Sequence, residues 1–359
     1  MQAAVLATNH PAGTRLGDFT IERTIGEGGM AVLYLATDSA GCRRVLKVPH
    51  RSQSADPVAI VAFENELRLA HYLADFPYSH MPVPRASDSG RYLVMDYIEG
   101  TDLWTYLRQQ GCLSEAEAVA LTKKIVVALS ELHKRRIVHL DLKLSNVMVT
   151  PSGEIRLIDF GLANHLDLPD HIYEAFREPK GTPAYIAPEQ FFGVRDEPRS
   201  DVFSIGTMLF EMTTSRLPFP EATTRLDVIS RIRRQPVSPR FFRPELSEAF
   251  ATVVLTCLEN LPDRRYSNMD ALLAALDRLA HTPDTAVPAA PTPATRPSLR
   301  ERAARWLRRQ GVECVDRLDE IKRWIDAHQA GRAPAPFRII AAVDIEAGED
   351  AAALNREIV

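Results

Sequence analysis

The stretch His139-Leu140-Asp141-Leu142-Lys143-Leu144-Ser145-Asn146 sets a carboxylate, an ammonium and an amide close together at Asp141, Lys143 and Asn146. A carboxylate there can orient and deprotonate an attacking hydroxyl, the ammonium can hold a transferring phosphate, and the amide can ligate a metal ion bridging phosphates. The trio therefore suits phosphoryl transfer to a hydroxyl. Downstream, the apolar run Ile155-Arg156-Leu157-Ile158 ends in Asp159-Phe160-Gly161 and reads as a short strand delivering a second acid into a site.

The elements that must position these groups lie on both sides. Upstream is Ile25-Gly26-Glu27-Gly28-Gly29-Met30-Ala31-Val32-Leu33-Tyr34. Glycines that open a helix would suit a dinucleotide-binding turn, but these precede Val32-Leu33-Tyr34-Leu35, whose β-branched and aromatic content reads as a strand. A hairpin with a glycine tip fits better, and Gly26 and Gly28 would let backbone N–H groups approach phosphates with no Cβ in the way. Lys47 sits in the strand-like run Arg44-Val45-Leu46-Lys47-Val48, so a buried stem would need a counter-charge. From Val58 to Leu73 the residues Ile60, Phe63, Leu67, Ala70 and Leu73 fall near helical spacing, and Glu66 lies within that apolar stripe. Glu64 is the alternative partner.

In order and spacing these motifs, together with Ala187-Pro188-Glu189, resemble the protein kinases, and the bacterial Hanks-type serine/threonine kinases among them, in which that last motif closes the activation and substrate-docking loop. The resemblance implies an α+β, two-lobed protein kinase fold: a small β-rich lobe with one key helix and a larger, mainly helical lobe. It implies ATP and Mg2+, with Mn2+ as an alternative ion, as cofactors, and Asn146 and Asp159 as the metal ligands. Lys47 would grip the α and β phosphates with Glu66 holding it in place, and Ile25, Gly26, Glu27, Gly28, Gly29 and Leu33 would form the phosphate-covering hairpin. Met95 would stand at the back of the adenine pocket, the backbone from Asp96 to Ile98 would bond the adenine edge, and Asp102 would lie near the ribose. Ala31 replaces the family's third glycine and Leu33 its valine, and neither change removes a catalytic group. Lys143 and Gly181-Thr182-Pro183-Ala184-Tyr185 match serine/threonine kinases, with the Thr182 hydroxyl bridging Asp141 and Lys143. Small-molecule phosphotransferases share the lobes and the acid pair but usually lack an Ala-Pro-Glu segment, here Ala187-Pro188-Glu189, and a lysine in the position of Lys143. The resemblance also implies that Asp201 braces the catalytic-loop backbone, a role compatible with helix N-capping, and that Arg265 pairs with Glu189.

Composition limits the rest. The chain has 359 residues, 45% hydrophobic and 25% charged, the balance of a globular protein with two or three domains. A net charge of −4 gives no support to nucleic-acid binding. No apolar run reaches the roughly 18–20 residues of a membrane span, and Met1-Gln2-Ala3-Ala4-Val5 lacks the basic start and apolar core of a secretory signal. A cytoplasmic location is expected. Cys42, Cys112, Cys257 and Cys314 show no paired spacing and read as free thiols.

The expected organisation is an N-terminal extension (1–17), the kinase domain (18–280), a Pro/Ala/Thr-rich linker (281–297), a helical segment (298–330), and the incomplete start of an α/β unit (331–359). Within the domain, Ser114 and Glu117 form a capping-box pair ahead of a helix reaching Lys134. The run from Asp201 to Met212 is apolar nearly all round, as in a helix buried at the centre of a lobe. Ser298 and Glu301 form another capping pair before a basic amphipathic helix, and Leu318, Ile321 and Ile325 mark a second. Phe337-Arg338-Ile339-Ile340-Ala341-Ala342-Val343-Asp344 is similar to the opening of universal stress proteins. Residues 298–359 are candidates for an intramolecular or partner contact.

Two functions from different classes remain: a working kinase acting on serine and threonine hydroxyls of proteins, or a kinase-shaped ATP-binding scaffold without turnover. The intact set Lys47, Glu66, Asp141, Asn146 and Asp159 favours the first. Leu140 stands where kinases switched by loop phosphorylation place an arginine, and from Leu162 to Gly181 Tyr173 is the only hydroxyl. Activity independent of activation-loop phosphorylation is therefore expected. The linker hydroxyls Thr282, Thr285, Thr292, Thr295 and Ser298 are the accessible autophosphorylation candidates.

Overall fold

A computed structural model describes residues 10–27, 31–49, 57–73, 85–86, 92–176, 180–219, 236–281 and 316–329. The small lobe contains β1 (Arg15–Leu16), β2 (Phe19–Glu27), β3 (Ala31–Thr37), β4 (Arg43–Pro49), helix α1 (Pro57–Leu73), β5 (Arg85–Ala86) and β6 (Leu93–Asp96). Its strands form one antiparallel sheet in the order β1-β2-β3-β4-β6-β5. Strand alternation sends Ile21, Val32, Tyr34, Ala36, Leu46 and Tyr92 to one buried cluster. Part of the expected N-terminal extension belongs to this lobe, since Gly13 N–H donates to the Ile21 carbonyl at 2.8 Å and Ile21 N–H to the Thr14 carbonyl at 2.9 Å.

The large lobe follows as β7 (Thr101–Asp102), α2 (Leu103–Gln110), α3 (Glu115–Lys134), β8 (Ile137–Val138), β9 (Val147–Val149), β10 (Ile155–Leu157), β11 (Asn164–His165), α4 (His171–Ala175), α5 (Pro188–Phe191), α6 (Arg199–Thr214), α7 (Glu248–Cys257), α8 (Met269–His281) and α9 (Asp316–Gln329). The Ser114–Glu117 capping box starts α3 as expected, with Glu117 N–H donating to Ser114 Oγ at 3.3 Å and Ser114 N–H to Glu117 Oε2 at 2.9 Å. Helix α6 is buried along nearly its whole length, including Val202, Phe203, Ile205, Met208, Leu209, Phe210 and Met212. A helix apolar on all sides needs neighbours on all sides, and α3, α7 and the β-strands of the loop region supply the same continuous core.

Two small antiparallel ladders set the functional loops. In one, β9 lies between β10 and β7, and in the other β8 pairs with β11 through Val138 opposite Asn164 and Ile137 opposite His165. The loop from His139 to Asn146 is thereby strung between β8 and β9, and Asp159 leaves the end of β10 beside it. The expected basic helix after Ser298 and the expected α/β start at 331–359 lie outside the described residues, as do Gly28, Gly29 and the linker apart from His281, which ends α8. Cys42, Cys112 and Cys257 are free thiols, and Cys314 also lies outside the described residues.

Candidate active site

Register places the first part of the site. Gly26 pairs with Leu33, Leu33 with Lys47, and Lys47 with Leu93, so these residues stand in one row across four strands. Ile25 is skipped between the pairs Thr24–Tyr34 and Gly26–Leu33, a bulge that leaves its side chain exposed. Glu27 ends β2 with an exposed side chain.

Lys47 Nζ donates to Glu66 Oε2 at 2.6 Å and to Asp159 Oδ1 at 3.1 Å. Glu66 is 1% exposed, so the inward charge expected within the α1 stripe is there, whereas Glu64 points outward. Burial pushes the Lys47 ammonium down, but the charges of Glu66 and Asp159 outweigh it and hold its pKa above the ordinary value. Burial dominates at Glu66, whose pKa is raised even against the pull of Lys47. At Asp159 burial also acts upward, yet Lys47, with help from Lys143 and His139, leaves the carboxyl below its usual range.

The second part is the catalytic loop. Lys143 Nζ donates to Asp141 Oδ2 at 2.8 Å and to Thr182 Oγ1 at 2.9 Å. Thr182 in turn donates to Asp141 Oδ1 through its N–H at 3.0 Å and its hydroxyl at 2.9 Å. Asn146 Nδ2 donates to the Asp141 carbonyl at 2.8 Å and reaches Asp141 Oδ2 only at 3.4 Å. Its amide nitrogen is thus committed to the loop, leaving the amide oxygen as its acceptor face. The Ile158 N–H donates to the Asn146 carbonyl at 3.0 Å, which ties the strand carrying Asp159 to the loop carrying Asn146.

Asp159 and Asn146 together offer hard oxygen donors, and the Asp159 side chain is 35% exposed toward the cleft. Two such donors, with room for phosphate and water oxygens, fit an octahedral Mg2+ better than a closed protein cage. Among the described residues no group of three His, Cys, Asp or Glu forms such a cage.

Asp201 is fully buried and accepts from His139 N–H and Leu140 N–H at 2.9 Å each, with His133 Nε2 at 2.8 Å. The bracing role is therefore present, but Asp201 is not an N-cap. Helix α6 begins at Arg199 behind Pro198, so Asp201 stands inside its first turn and directs both oxygens at another segment. Burial acts to raise its pKa, but the His133 hydrogen bond and the positive surroundings hold it below 3.8. Leu140 and Asp159 both adopt left-handed backbone, at φ 63° and 65°, a conformation that costs roughly 1–2 kcal/mol per residue and must be held by such neighbours.

Several supporting residues carry no sequence signal. Asn65 Nδ2 donates to the carbonyls of Gly161 and Ala163 at 3.0 and 2.8 Å, and Gln190 Nε2 to the Leu140 carbonyl at 2.8 Å. Arg265 donates to both Glu189 oxygens at 2.6 and 2.7 Å, as expected. On the adenine side, Met95 is half-buried opposite Val45, Asp96 is exposed and paired with Arg44, and Ile98 is half-buried just beyond β6. Both Asp102 oxygens are engaged at the start of α2, accepting from Thr105 N–H at 2.9 Å and Thr105 Oγ1 at 2.7 Å.

Two lobes, a lysine clamped between a helix carboxylate and a strand-end carboxylate, and a loop acid bonded to lysine and threonine define a nucleotide-dependent phosphotransferase arrangement. Residues 19–275 match the protein kinase domain, and the chain belongs to that family. It is 31% identical over 294 residues to the serine/threonine-protein kinase PksC of Streptomyces coelicolor, covering 77% of this chain and 52% of the relative. It is 29% identical over 264 residues to PrkC of Bacillus subtilis, covering 72% and 40%, and 27% identical over 328 residues to PknB of Mycobacterium tuberculosis, covering 86% and 52%. Both are named serine/threonine kinases, and the chain spans about half or less of the length of these relatives.

Proposed function

We propose that this chain is a serine/threonine protein kinase that transfers the γ-phosphate of ATP to hydroxyls of protein substrates, in a cytoplasmic setting. The observation that carries this reading is the closed network of Asp141, Lys143 and Thr182 facing the Lys47–Glu66–Asp159 cluster. A divalent ion, Mg2+ or Mn2+, held by Asp159 and the Asn146 amide oxygen would neutralise the phosphates. Asp141 already takes four hydrogen bonds, the number a carboxylate can accept, and the 3.4 Å contact from Asn146 is the weakest. An acceptor hydroxyl would replace that contact. As its oxygen bonds the γ-phosphorus and the bond to the ADP oxygen breaks, its proton passes to Asp141. Lys143 would hold the transferring group, and Lys47, kept cationic by two carboxylates, would hold the remaining phosphates.

The same reading includes activity without a phosphate on the activation segment. Leu140 offers no cation there, and a protein ion pair stands in the segment instead. Arg195 Nε donates to Asp170 Oδ2 at 2.7 Å and Arg195 Nη2 to the Leu162 carbonyl at 2.7 Å, with the guanidinium side chain 8% exposed. Among the described residues no helix is long and apolar enough to cross a membrane.

The test is phosphate transfer from magnesium-ATP to a generic protein acceptor by wild type and Asp141→Asn, with mass spectrometry of the product. Phosphoserine or phosphothreonine is expected from wild type, and the variant should fall by about 100-fold or more with nucleotide binding retained. A loss under about tenfold would contradict the role given to Asp141.

A further inference from the structure

Helix α9 is separated from the rest of the domain by more than thirty residues of sequence, yet it lies against the segment that follows Thr182. Ile321 and Ile325, spaced one turn apart, are 0% and 1% exposed and share an apolar cluster with Ile186, Phe191 and Val194. Polar contacts fix the helix in register. Trp324 Nε1 donates to Asp263 Oδ2 at 2.8 Å, His328 Nε2 lies 3.3 Å from Asp196 Oδ1, and the two rings stack at 4.7 Å. Residues 321, 324, 325 and 328 make one face, while Arg323, Asp326 and Ala327 face away.

The covered segment leads directly to the chemistry. Ile186 N–H and Tyr185 N–H both donate to the Thr182 carbonyl, at 3.1 and 2.9 Å. A Cβ built on Gly181 would lie 3.8 Å from the Ile186 Cδ1 and 3.8 Å from Asp141 Oδ1, so the Ile186 methyl and the catalytic carboxylate flank the same glycine. Phe191 belongs to α5, where the adjacent Gln190 holds the Leu140 carbonyl. With α9 seated, the contacts among Asp141, Lys143 and Thr182 and among Lys47, Glu66 and Asp159 are all made.

We infer that α9 is a brace in cis for the acceptor-docking segment, with Ile321 and Ile325 acting as positioning residues through Ile186 and Phe191. The inference rests on the kinase reading above and deepens it by naming what orders the docking segment. An apolar helix face pressed on one side of a short segment fixes the other side for an incoming protein hydroxyl, and does so with no phosphate.

The test uses the full chain carrying Ile321→Asp with Ile325→Asp, the conservative pair Ile321→Val with Ile325→Val, and Trp324→Phe as a milder variant that loses the Asp263 hydrogen bond and part of the ring surface against His328 and the cluster. The Asp pair should lower kcat/KM for the protein acceptor by about tenfold, mostly through KM, with KM for ATP within about twofold. Amide exchange across Tyr185 to Gly193 should accelerate, the Val pair should restore both readouts, and Trp324→Phe should fall between. An unchanged kcat/KM overturns the brace, and so does an increase, which would make α9 a block. A wild type that transfers no phosphate would sink the kinase reading instead, and exchange in the Asp pair then decides alone: protection equal to wild type overturns the brace.

Discussion

Lys47 is held by two carboxylates of unequal surroundings, and that inequality assigns their tasks. Glu66 is sealed on the inner face of α1 with the Lys47 ammonium at 2.6 Å, so it can fix the lysine but cannot reach a ligand in the cleft. Asp159 is partly open and keeps a depressed pKa, so it stays charged and available. Glu66→Gln keeps the shape and an acceptor oxygen but removes the charge that orients Lys47. It should cost about tenfold or more in kcat/KM, whereas Glu64→Gln, on the outward face, should leave activity unchanged; steady-state kinetics of both variants checks the pair. Equal losses in both would show that α1 presents a different face. Glu66 was legible because a carboxylate inside an apolar stripe is an inward charge whatever the fold. Asn65 and Gln190 were not legible, because each bonds backbone carbonyls far away in sequence, and a carbonyl has no residue type to leave a trace. Asp201 was half legible: its role toward the catalytic loop follows from the family resemblance, but its place inside α6 depends on Pro198 and Arg199 opening the helix earlier.

Among the elements, α6 was readable because a run apolar on every side has no other stable home than the middle of a lobe. What the run does not show is how close its neighbours come. A Cβ on Gly206 would lie 2.6 Å from the Cys257 Cβ and 3.0 Å from Leu258 Cγ, both belonging to or following α7. Gly206→Ala would gain about 1 kcal/mol of helix propensity, but overpacking a buried contact costs about 1–3 kcal/mol and occasionally more. The Cys257 Cβ is fixed to the α7 backbone and cannot swing aside, so the net change should be destabilising. The urea midpoint should fall while kcat per folded molecule at low temperature stays the same. A raised midpoint would mean that α6 and α7 are further apart than 2.6 Å implies. The short elements were illegible for a different reason. Helix α4 spans Asp170-capped His171–Ala175, too few residues for any period to show, and α2 announces itself only through Asp102 and Thr105, a cap that competes with the ribose role drawn from the resemblance.

For the molecule as a whole, the question is what the structure offers to keep two lobes in a productive relation. The contact runs through α1 and the activation segment. Arg68 Nη2 donates to the Pro169 carbonyl at 2.9 Å, Asn65 holds the carbonyls of Gly161 and Ala163, and Ile172 of α4 is buried with Ala62 and Leu162. Arg195 closes this assembly from the large-lobe side by gripping Asp170, the residue that caps α4, and the Leu162 carbonyl, while its own carbonyl accepts from Asn164 Nδ2 at 3.1 Å. The helix bearing Glu66 is thus seated on a segment fixed by a buried protein cation, and we propose that this ion pair does the ordering that a phosphate and its arginine would do in a switched kinase. Two outcomes follow from that substitution. Phosphatase treatment of the wild-type chain should leave its activity unchanged, since the anchoring anion is Asp170. Arg195→Ala should lower kcat by about tenfold or more with a smaller change in nucleotide affinity, because the seat of α1 loosens while the nucleotide-facing strands stay intact. Arg195→Lys, able to reach Asp170 but not Leu162 as well, should fall between. Activity that disappears with phosphatase and returns with one phosphorylated residue in the segment would show that the ion pair is not the anchor.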